Sequence, residues 1–123
     1  MHARAFAFLR DLAASEAVRV RVRGDCMAPL IAAGTEVSVR RRALYLPGDV
    51  IVFRTTAGDL AAHRVLGYRA KGIVTKGDRC SLHDAPVARA QVVGAVEALA
   101  VGGAARLRAL GRFAAIVARR LGR

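Results

Sequence analysis

Residues Val18 to Arg23 alternate strictly between valine and arginine. In a β-strand, successive side chains point to opposite faces, so this alternation puts the valines on one face and the arginines on the other. A half-buried strand of this kind needs a sheet and an apolar core beside it. Gly24 follows directly and ends the strand, because glycine allows a tight turn. The segment therefore predicts a β-rich domain.

Five further segments are predicted as strands because they are apolar, rich in β-branched residues and bounded by turn residues. Turns are predicted at Pro47–Asp49 and Thr56–Asp59, and a loop is predicted over residues 77–91. Gly94 lies inside the last segment, where a glycine indicates a bulge or a close backbone approach. The predicted strands are Val37–Val39, Val50–Phe53, one within Leu60–Tyr68, Gly72–Thr75 and Val92–Val101.

Two helices are predicted to flank these strands, over residues 3–16 and residues 104–121. Phe6, Leu9 and Leu12 share one face of the first helix. The second helix is predicted to be amphipathic, and we favour its packing on the domain over binding to an anionic membrane or a partner. Its predicted apolar face is Leu107, Leu110, Ala114, Val117 and Leu121, with Arg108, Arg112 and Arg119 opposite. The fold prediction is one mainly β domain spanning residues 1–123, with its core at 18–101.

The chain has 123 residues, which is the size of one domain, and a net charge of +12. Basic residues cluster at Arg40–Arg42 and over residues 103–123, a stretch without any acid. This charge predicts attraction to an anionic partner, such as nucleic acid, a membrane surface or an acidic protein, or else a solvated basic face. Because no helix-turn-helix, zinc pattern or interleaved aromatic residues accompany the charge, nucleic acid is not the expected partner.

The sequence predicts a cytoplasmic location. No stretch approaches the roughly 20 apolar residues that span a bilayer, and Met1 to Leu12 lacks the pattern of a signal peptide. Cys26 and Cys80 are too few for a disulfide scaffold and form no CxxC pair. We therefore expect both thiols to stay reduced, in a protein that is at most peripheral at a membrane.

Cys26 lies directly after the alternating strand, between Gly24 and Pro29. A thiol at such a turn is rigidly presented, and it attacks as the thiolate, which a nearby imidazole stabilises. From the residues alone, however, an inert buried cysteine is favoured over a nucleophile, since free cysteines are commonly core residues.

The residues that could assist a thiol lie far along the chain. His63 falls in an apolar strand and His83 in a loop, while Asp78 and Asp84 are acids able to orient an imidazole. The sequence alone does not bring these groups together. A metal site built from His63, His83, Asp84 and Cys80 also stays open, although their spacing fits no usual zinc pattern.

Six motifs nevertheless occur in order between about residues 18 and 100. Together they resemble the conserved boxes of the superfamily that contains signal peptidases and the self-cleaving LexA-like repressors. The motifs are Gly24-x-Cys26-Met27-x-Pro29, Gly34–Val39, Gly48–Arg54, Ala62–Gly67, Thr75–Asp78 and Gln91–Val96.

The resemblance implies a coiled β-sheet catalytic core and a peptidase that needs neither a cofactor nor a metal. Histidine at position 63, rather than lysine, is similar to the archaeal, sporulation-type and endoplasmic-reticulum signal peptidases. In that scheme Cys26 is the nucleophile, His63 the general base, and Asp84 or Asp78 the orienting acid. The backbone N–H of Cys26 would be one oxyanion donor. The residues assigned to the substrate-binding wall are Met27 and Pro29.

Two departures narrow the predicted activity. Cysteine stands at the nucleophile position where the family has serine, and the sequence predicts no membrane anchor. We expect a cysteine-type relative that trims a leader or propeptide, with an acidic leader favoured by the positive charge. The alternatives are an inactive peptide-binding or regulatory relative and a serine peptidase in which cysteine has replaced the native serine.

Overall fold

The computed structural model describes residues 1–21, 24, 26–97 and 102–121. Within these ranges, six strands form one antiparallel sheet in the order β1-β2-β6-β3-β4-β5, with a helix before the first strand and another after the last. The predicted mainly β domain with two flanking helices is therefore confirmed. The elements are α1 (Ala3–Ser15), β1 (Val18–Arg21), β2 (Glu36–Arg40), β3 (Val50–Arg54), β4 (Leu60–Arg69), β5 (Gly72–Lys76), β6 (Val92–Val96) and α2 (Gly103–Leu121).

Strand β1 has the two faces that its alternating sequence predicts. Val18 and Val20 are buried, whereas Arg19 and Arg21 are exposed. The two arginines lie 3.3 and 3.8 Å from the carboxylate of Glu36 on β2, a pairing at the surface. The rest of the predicted strand, residues 22–23, lies outside the described residues.

Strand β3 is buried along most of its length, because a core lies on both of its faces. Val50 and Val52 belong to one apolar cluster, while Ile51 and Phe53 belong to another. Helix α1 covers the first cluster with Phe6, and Leu9 and Leu12 pack beside it, as predicted. A strand buried on both faces reads as a continuous apolar run, which is how this segment appears in the sequence.

Gly94 in β6 marks both features that a glycine inside a strand predicts. The pairing of β3 with β6 shifts register between Val52 and Phe53, beside Gly94. A Cβ atom at Gly94 would lie 2.4 Å from the carbonyl carbon of Arg40, so the backbones approach closely there. The remainder of the predicted strand, residues 98–101, lies outside the described residues.

The predicted apolar face of α2 is wrong. Leu107 is 70% exposed and Leu110 is 46% exposed. The face that packs on the sheet is instead formed by Ala109, Phe113 and Ile116, against Leu66 and Val74. The side chain of Leu121 lies outside the described part of the structure.

Gly67 explains this orientation of α2. A Cβ atom at Gly67 would lie 2.7 Å from the ring of Phe113, so the glycine leaves a notch in β4 that the ring fills. Arg106 fixes the start of the helix by donating hydrogen bonds to the Pro47 carbonyl oxygen and the Asp49 carboxylate, at 3.1 and 3.0 Å. Complementary shape and a charged anchor thus outweigh the leucine periodicity. No helix in the described ranges is long and apolar enough to cross a membrane.

Candidate active site

Cys26 lies in a turn that comes shortly after β1 in the chain. Gly24 adopts a φ of +75°, the left-handed region that glycine allows and that the turn requires. The Cys26 side chain is half-buried, and neither cysteine of the chain is in a disulfide. Met27 is 1% exposed and packs in the apolar core, so its side chain anchors the turn. The thiol is therefore presented by a turn that is anchored to the apolar interior.

The loop that begins at Gly77 holds this turn from the other side. The Arg79 backbone N–H donates to the Cys26 carbonyl oxygen at 2.9 Å, and the Asp78 N–H lies 3.4 Å from the Met27 sulfur. A Cβ atom at Gly77 would lie 2.7 Å from the Cys80 sulfur and 3.0 Å from the Cys26 Cβ. Only a glycine thus lets the two cysteine-bearing segments come so close.

His63 lies on β4, paired in register with Ile51 of β3. Its side chain is only 12% exposed, and its ring meets the ring of Phe53 edge-on at 5.7 Å between centroids. Its Nδ1 atom lies 2.5 Å from Oδ2 of Asp84. Because a carboxylate accepts, the Nδ1–H donates to Asp84, and Nε2 is the nitrogen left for other chemistry.

Thr75 on β5 holds Asp84 in place. The Thr75 hydroxyl donates to Oδ2 of Asp84 at 2.7 Å, and the Asp84 backbone N–H donates to the Thr75 carbonyl oxygen at 2.8 Å. Thr75 is fully buried in β5, so the group that supports Asp84 belongs to the sheet. The carboxylate that orients His63 is itself oriented.

The thiol, the imidazole and the acid therefore form one constellation. The Cys26 sulfur, a ring nitrogen of His63 and the Cys80 sulfur all lie within 4.8 Å of one another. A base of this kind can accept the thiol proton while the acid stabilises the imidazolium that forms. The structure thus brings Cys26, His63 and Asp84 together, although they are distant in sequence.

Asp78 has a different partner. Both of its carboxylate oxygens accept from Arg64, at 2.8 Å each, and Arg64 also donates to the Gly48 carbonyl oxygen at 2.7 Å. The hydrogen bonds to Asp78 raise the pKa of the Arg64 guanidinium; burial opposes this effect and the charge of Asp78 reinforces it. Asp78 therefore clamps the loop to β4, and Asp84 is the acid on His63.

Sequence reasoning gave no role to Thr75 or Arg64, although both lie inside the motifs. A polar residue in a strand that reads as buried was the available signal for Thr75, since buried hydroxyls need partners. The sequence assigns Cys80 no role in cleavage, and its sulfur lies within 4.8 Å of the Cys26 sulfur. Pro29 is exposed, and its peptide bond with Ala28 is cis. His83 is exposed.

A groove of about 480 Å³ runs between β1 and the start of β4. Among the described residues, β1 pairs only with β2, and Leu60–His63 of β4 pair only with β3. Both strands thus present backbone edges that an extended peptide can pair with. The lining residues are Met1, Leu9, Arg19, Val20, Arg21, Asp59 and Leu60.

The sequence was compared with known families and proteins. No protein-family model matches the chain, and no curated protein matches it. The family resemblance therefore rests on the order of the motifs.

Proposed function

We propose that the protein is a small endopeptidase with Cys26 as nucleophile, His63 as general base and Asp84 as the acid that orients His63. The observation that carries the proposal is the short His63–Asp84 hydrogen bond of 2.5 Å beside a thiol within 4.8 Å of the imidazole. Acyl transfer requires a nucleophile beside a base, and an acid that orients the base.

The reaction runs in two halves. His63 accepts the proton of the Cys26 thiol, and the thiolate attacks the carbonyl carbon of the scissile peptide bond. The imidazolium then protonates the leaving amine, which departs and leaves a thioester on Cys26. Water, deprotonated by His63, hydrolyses the thioester and restores the thiol. The backbone N–H of Cys26 is proposed as one donor to the oxyanion of each tetrahedral intermediate.

The Cys26 sulfur lies within 4.8 Å of a ring nitrogen of His63. Catalytic hydrogen bonds commonly tighten when substrate binds, so this proximity suits a nucleophile and its base in the free protein.

Three separate segments support the likeness to the signal peptidases with a Ser–His pair. The Gly24–Pro29 motif, the His63 motif and the Thr75–Asp78 motif are up to about 50 residues apart in sequence. The first and third motifs meet through the contact between the Asp78 N–H and the Met27 sulfur, and a ring nitrogen of His63 lies within 4.8 Å of the Cys26 sulfur. We propose on this basis that the sheet is the coiled catalytic core of that superfamily.

The proposed substrate is an extended peptide segment with acidic residues, such as a leader or a propeptide. Among the described residues, β1 and the start of β4 each have an unpaired edge, and Arg19 and Arg21 line the groove between these strands. A second concave surface of about 480 Å³ carries Lys76, Arg112 and Arg119 beside the loop that contains Asp84. These cations suit an acidic partner, in keeping with the net charge of +12. We place this activity in the cytoplasm.

A peptide library rich in acidic extended sequences tests the proposal. Wild type is expected to cleave a subset of peptides, and Cys26→Ala is expected to cleave none of them. Ser15→Ala, an exposed change at the end of α1, is the matched control and should cleave like wild type. If Cys26→Ala retains the wild-type rate, the nucleophile assignment is wrong.

The same library separates the two other readings of the cysteine. A site built for serine would work faster with Cys26→Ser than with Cys26, because the oxyanion site and the base would suit the hydroxyl. We expect the opposite, a large loss in Cys26→Ser, since the hydroxyl is much harder to deprotonate than a thiol. Binding of peptides without cleavage by any variant would identify an inactive peptide-binding protein.

A further inference from the structure

The side chains around Cys26 include a second set of groups with a shared chemistry. Cys26, His63 and Cys80 offer two sulfurs and one imidazole nitrogen, all within 4.8 Å of one another. Cys80 takes no part in the proposed peptide cleavage, yet Gly77 keeps its sulfur close to the Cys26 turn. Thiolates and imidazoles are the ligands that zinc prefers in proteins.

We propose that Cys26, His63 and Cys80 bind a zinc ion, and that this ion blocks the thiol of Cys26. The metal-binding part stands on the geometry alone. The blocking part rests on the proposed peptidase function, because the same thiol and the same imidazole are needed for cleavage.

The separations suit one metal ion better than a disulfide. With Zn–S bonds of about 2.3 Å and Zn–N bonds of about 2.0 Å, ligand atoms of a tetrahedral site lie roughly 3.5 to 3.8 Å apart. Contraction from at most 4.8 Å therefore needs no more than about 1 Å of side-chain movement. A disulfide would require the two sulfurs to approach to about 2.05 Å, which is a much larger change.

His63 already has the second partner that metal-bound histidines require. Its Nδ1–H donates to Asp84 at 2.5 Å, and Asp84 in turn accepts from Thr75 at 2.7 Å. A carboxylate on the remote ring nitrogen fixes the ring orientation and raises the basicity of the metal-binding nitrogen. The support that serves a general base thus serves a zinc ligand equally well.

The charge balance also favours this cation. Binding releases the protons of both thiols, so that Zn²⁺, two thiolates and a neutral imidazole have no net charge together. The site therefore adds no positive charge to a chain of net charge +12. Three protein ligands leave a fourth position for water. With the metal bound, the Cys26 sulfur and the His63 nitrogen are metal ligands and cannot act as nucleophile and base.

Cobalt(II) and zinc chloride test the site on the reduced full-length chain, without a histidine tag. We expect one Co²⁺ per chain, with thiolate-to-cobalt charge-transfer absorption, and displacement by Zn²⁺. Cys80→Ser should weaken zinc binding by at least about 100-fold, and Asp84→Asn by about 10- to 100-fold. His83→Ala removes an exposed histidine of the same loop and is the control, expected to bind within about twofold of wild type. Wild-type affinity in Cys80→Ser, or no charge-transfer absorption in wild type, overturns the proposal.

A protection measurement on wild type needs no variant to fold. Saturating Zn²⁺ should slow alkylation of Cys26 and Cys80 by at least about tenfold, because the thiolates are coordinated. Unchanged alkylation of both thiols overturns the site. These readouts use no peptide, so the two proposals fail separately. Metal binding without any cleavage by the metal-free chain rejects the peptidase alone, and cleavage without metal binding rejects the zinc site alone.

Discussion

His63 and Arg64 are neighbours on β4, and each is paired with an aspartate of the following loop. His63 contacts Asp84 through one hydrogen bond of 2.5 Å, whereas Arg64 contacts Asp78 through two of 2.8 Å. Burial does not distinguish the pairs, since His63 and Arg64 are 12% and 15% exposed, and their aspartates 27% and 25%. The two pairs differ in whether the basic side chain can exchange a proton and in which other group it lies beside.

Arg64 cannot act as an acid or a base, because its guanidinium stays protonated and Asp78 raises its pKa further. His63 can exchange a proton, and it faces the sulfur of Cys26. Successive residues of a strand point to opposite faces. One strand therefore carries the proposed chemistry on one side and, on the other, the clamp that holds the Gly77–Cys80 loop against the Cys26 turn.

The largest expected effect is that of His63→Ala on cleavage. Loss of a positioned general base is expected to lower the rate by about 100- to 10,000-fold. Because His63→Ala also leaves the Asp84 carboxylate without the Nδ1–H donor, the rate and the unfolding midpoint are measured on the same preparation, under conditions where the variant is folded. A His63→Ala variant that cleaves its peptide within about threefold of wild type would remove the distinction between the two pairs.

Asp84→Asn should have the next largest effect on cleavage. An amide still accepts a hydrogen bond from Nδ1–H but no longer stabilises the imidazolium with a charge, so we expect a large loss, of up to about 10,000-fold. The isosteric change Asp78→Asn is the matched control. It should affect the cleavage rate less than Asp84→Asn, and an equal loss in both variants would show that the two acids share one role.

Arg64→Ala should act mainly on stability. It leaves the Asp78 carboxylate and the Gly48 carbonyl oxygen without their donor, at a cost of about 1 to 3 kcal/mol in the free energy of unfolding. Because the pKa of Arg64 is raised, its contribution is constant near neutral pH and is lost only in strong alkali. Arg64→Lys should recover only part of the lost stability, because lysine keeps the positive charge but lacks the bidentate guanidinium. Denaturant unfolding of the three proteins measures the difference.

Thr75→Val should produce the smallest effect of the series. The change keeps the shape of a fully buried residue and removes the hydroxyl that donates to Asp84. We expect a loss of about 0.5 to 1.5 kcal/mol in stability and a cleavage rate reduced less than in Asp84→Asn. A rate below that of Asp84→Asn would mean that Thr75, rather than Asp84, governs the orientation of His63.

Most of the fold could be predicted from local sequence patterns. The alternation at Val18–Arg21 and the apolar run at Val50–Phe53 each describe the surroundings of a strand, so they predict a strand directly. The packed face of α2 was not predictable in this way, because it depends on the notch at Gly67 that accepts Phe113. A helix with leucine and arginine around most of its circumference offers several faces of similar hydrophobicity, and the tertiary fit selects one.

The candidate site likewise has residues that local sequence predicts and residues whose role depends on the tertiary fold. The positions of Cys26 and His63 followed from the motifs, because each lies at a fixed place relative to a strand. Asp78 and Asp84 could not be separated by sequence, since both lie in one loop. The loop's path decides between them through the hydrogen bond from the Asp84 N–H to the Thr75 carbonyl oxygen. Proximity of Cys80 to Cys26 likewise depends on Gly77 and on no local pattern.

The rate of Cys26 alkylation in metal-free wild type and His63→Ala, at about pH 6 to 8, tests the central claim most directly. If His63 activates the thiol, Cys26 reacts faster than an unfolded cysteine in wild type and slows in His63→Ala, with the modified residue identified by mass spectrometry. Arg64→Ala, measured under conditions where it is folded, should keep the faster rate. Cys26 labelling in wild type that is no faster than in the unfolded chain or in His63→Ala would contradict the account.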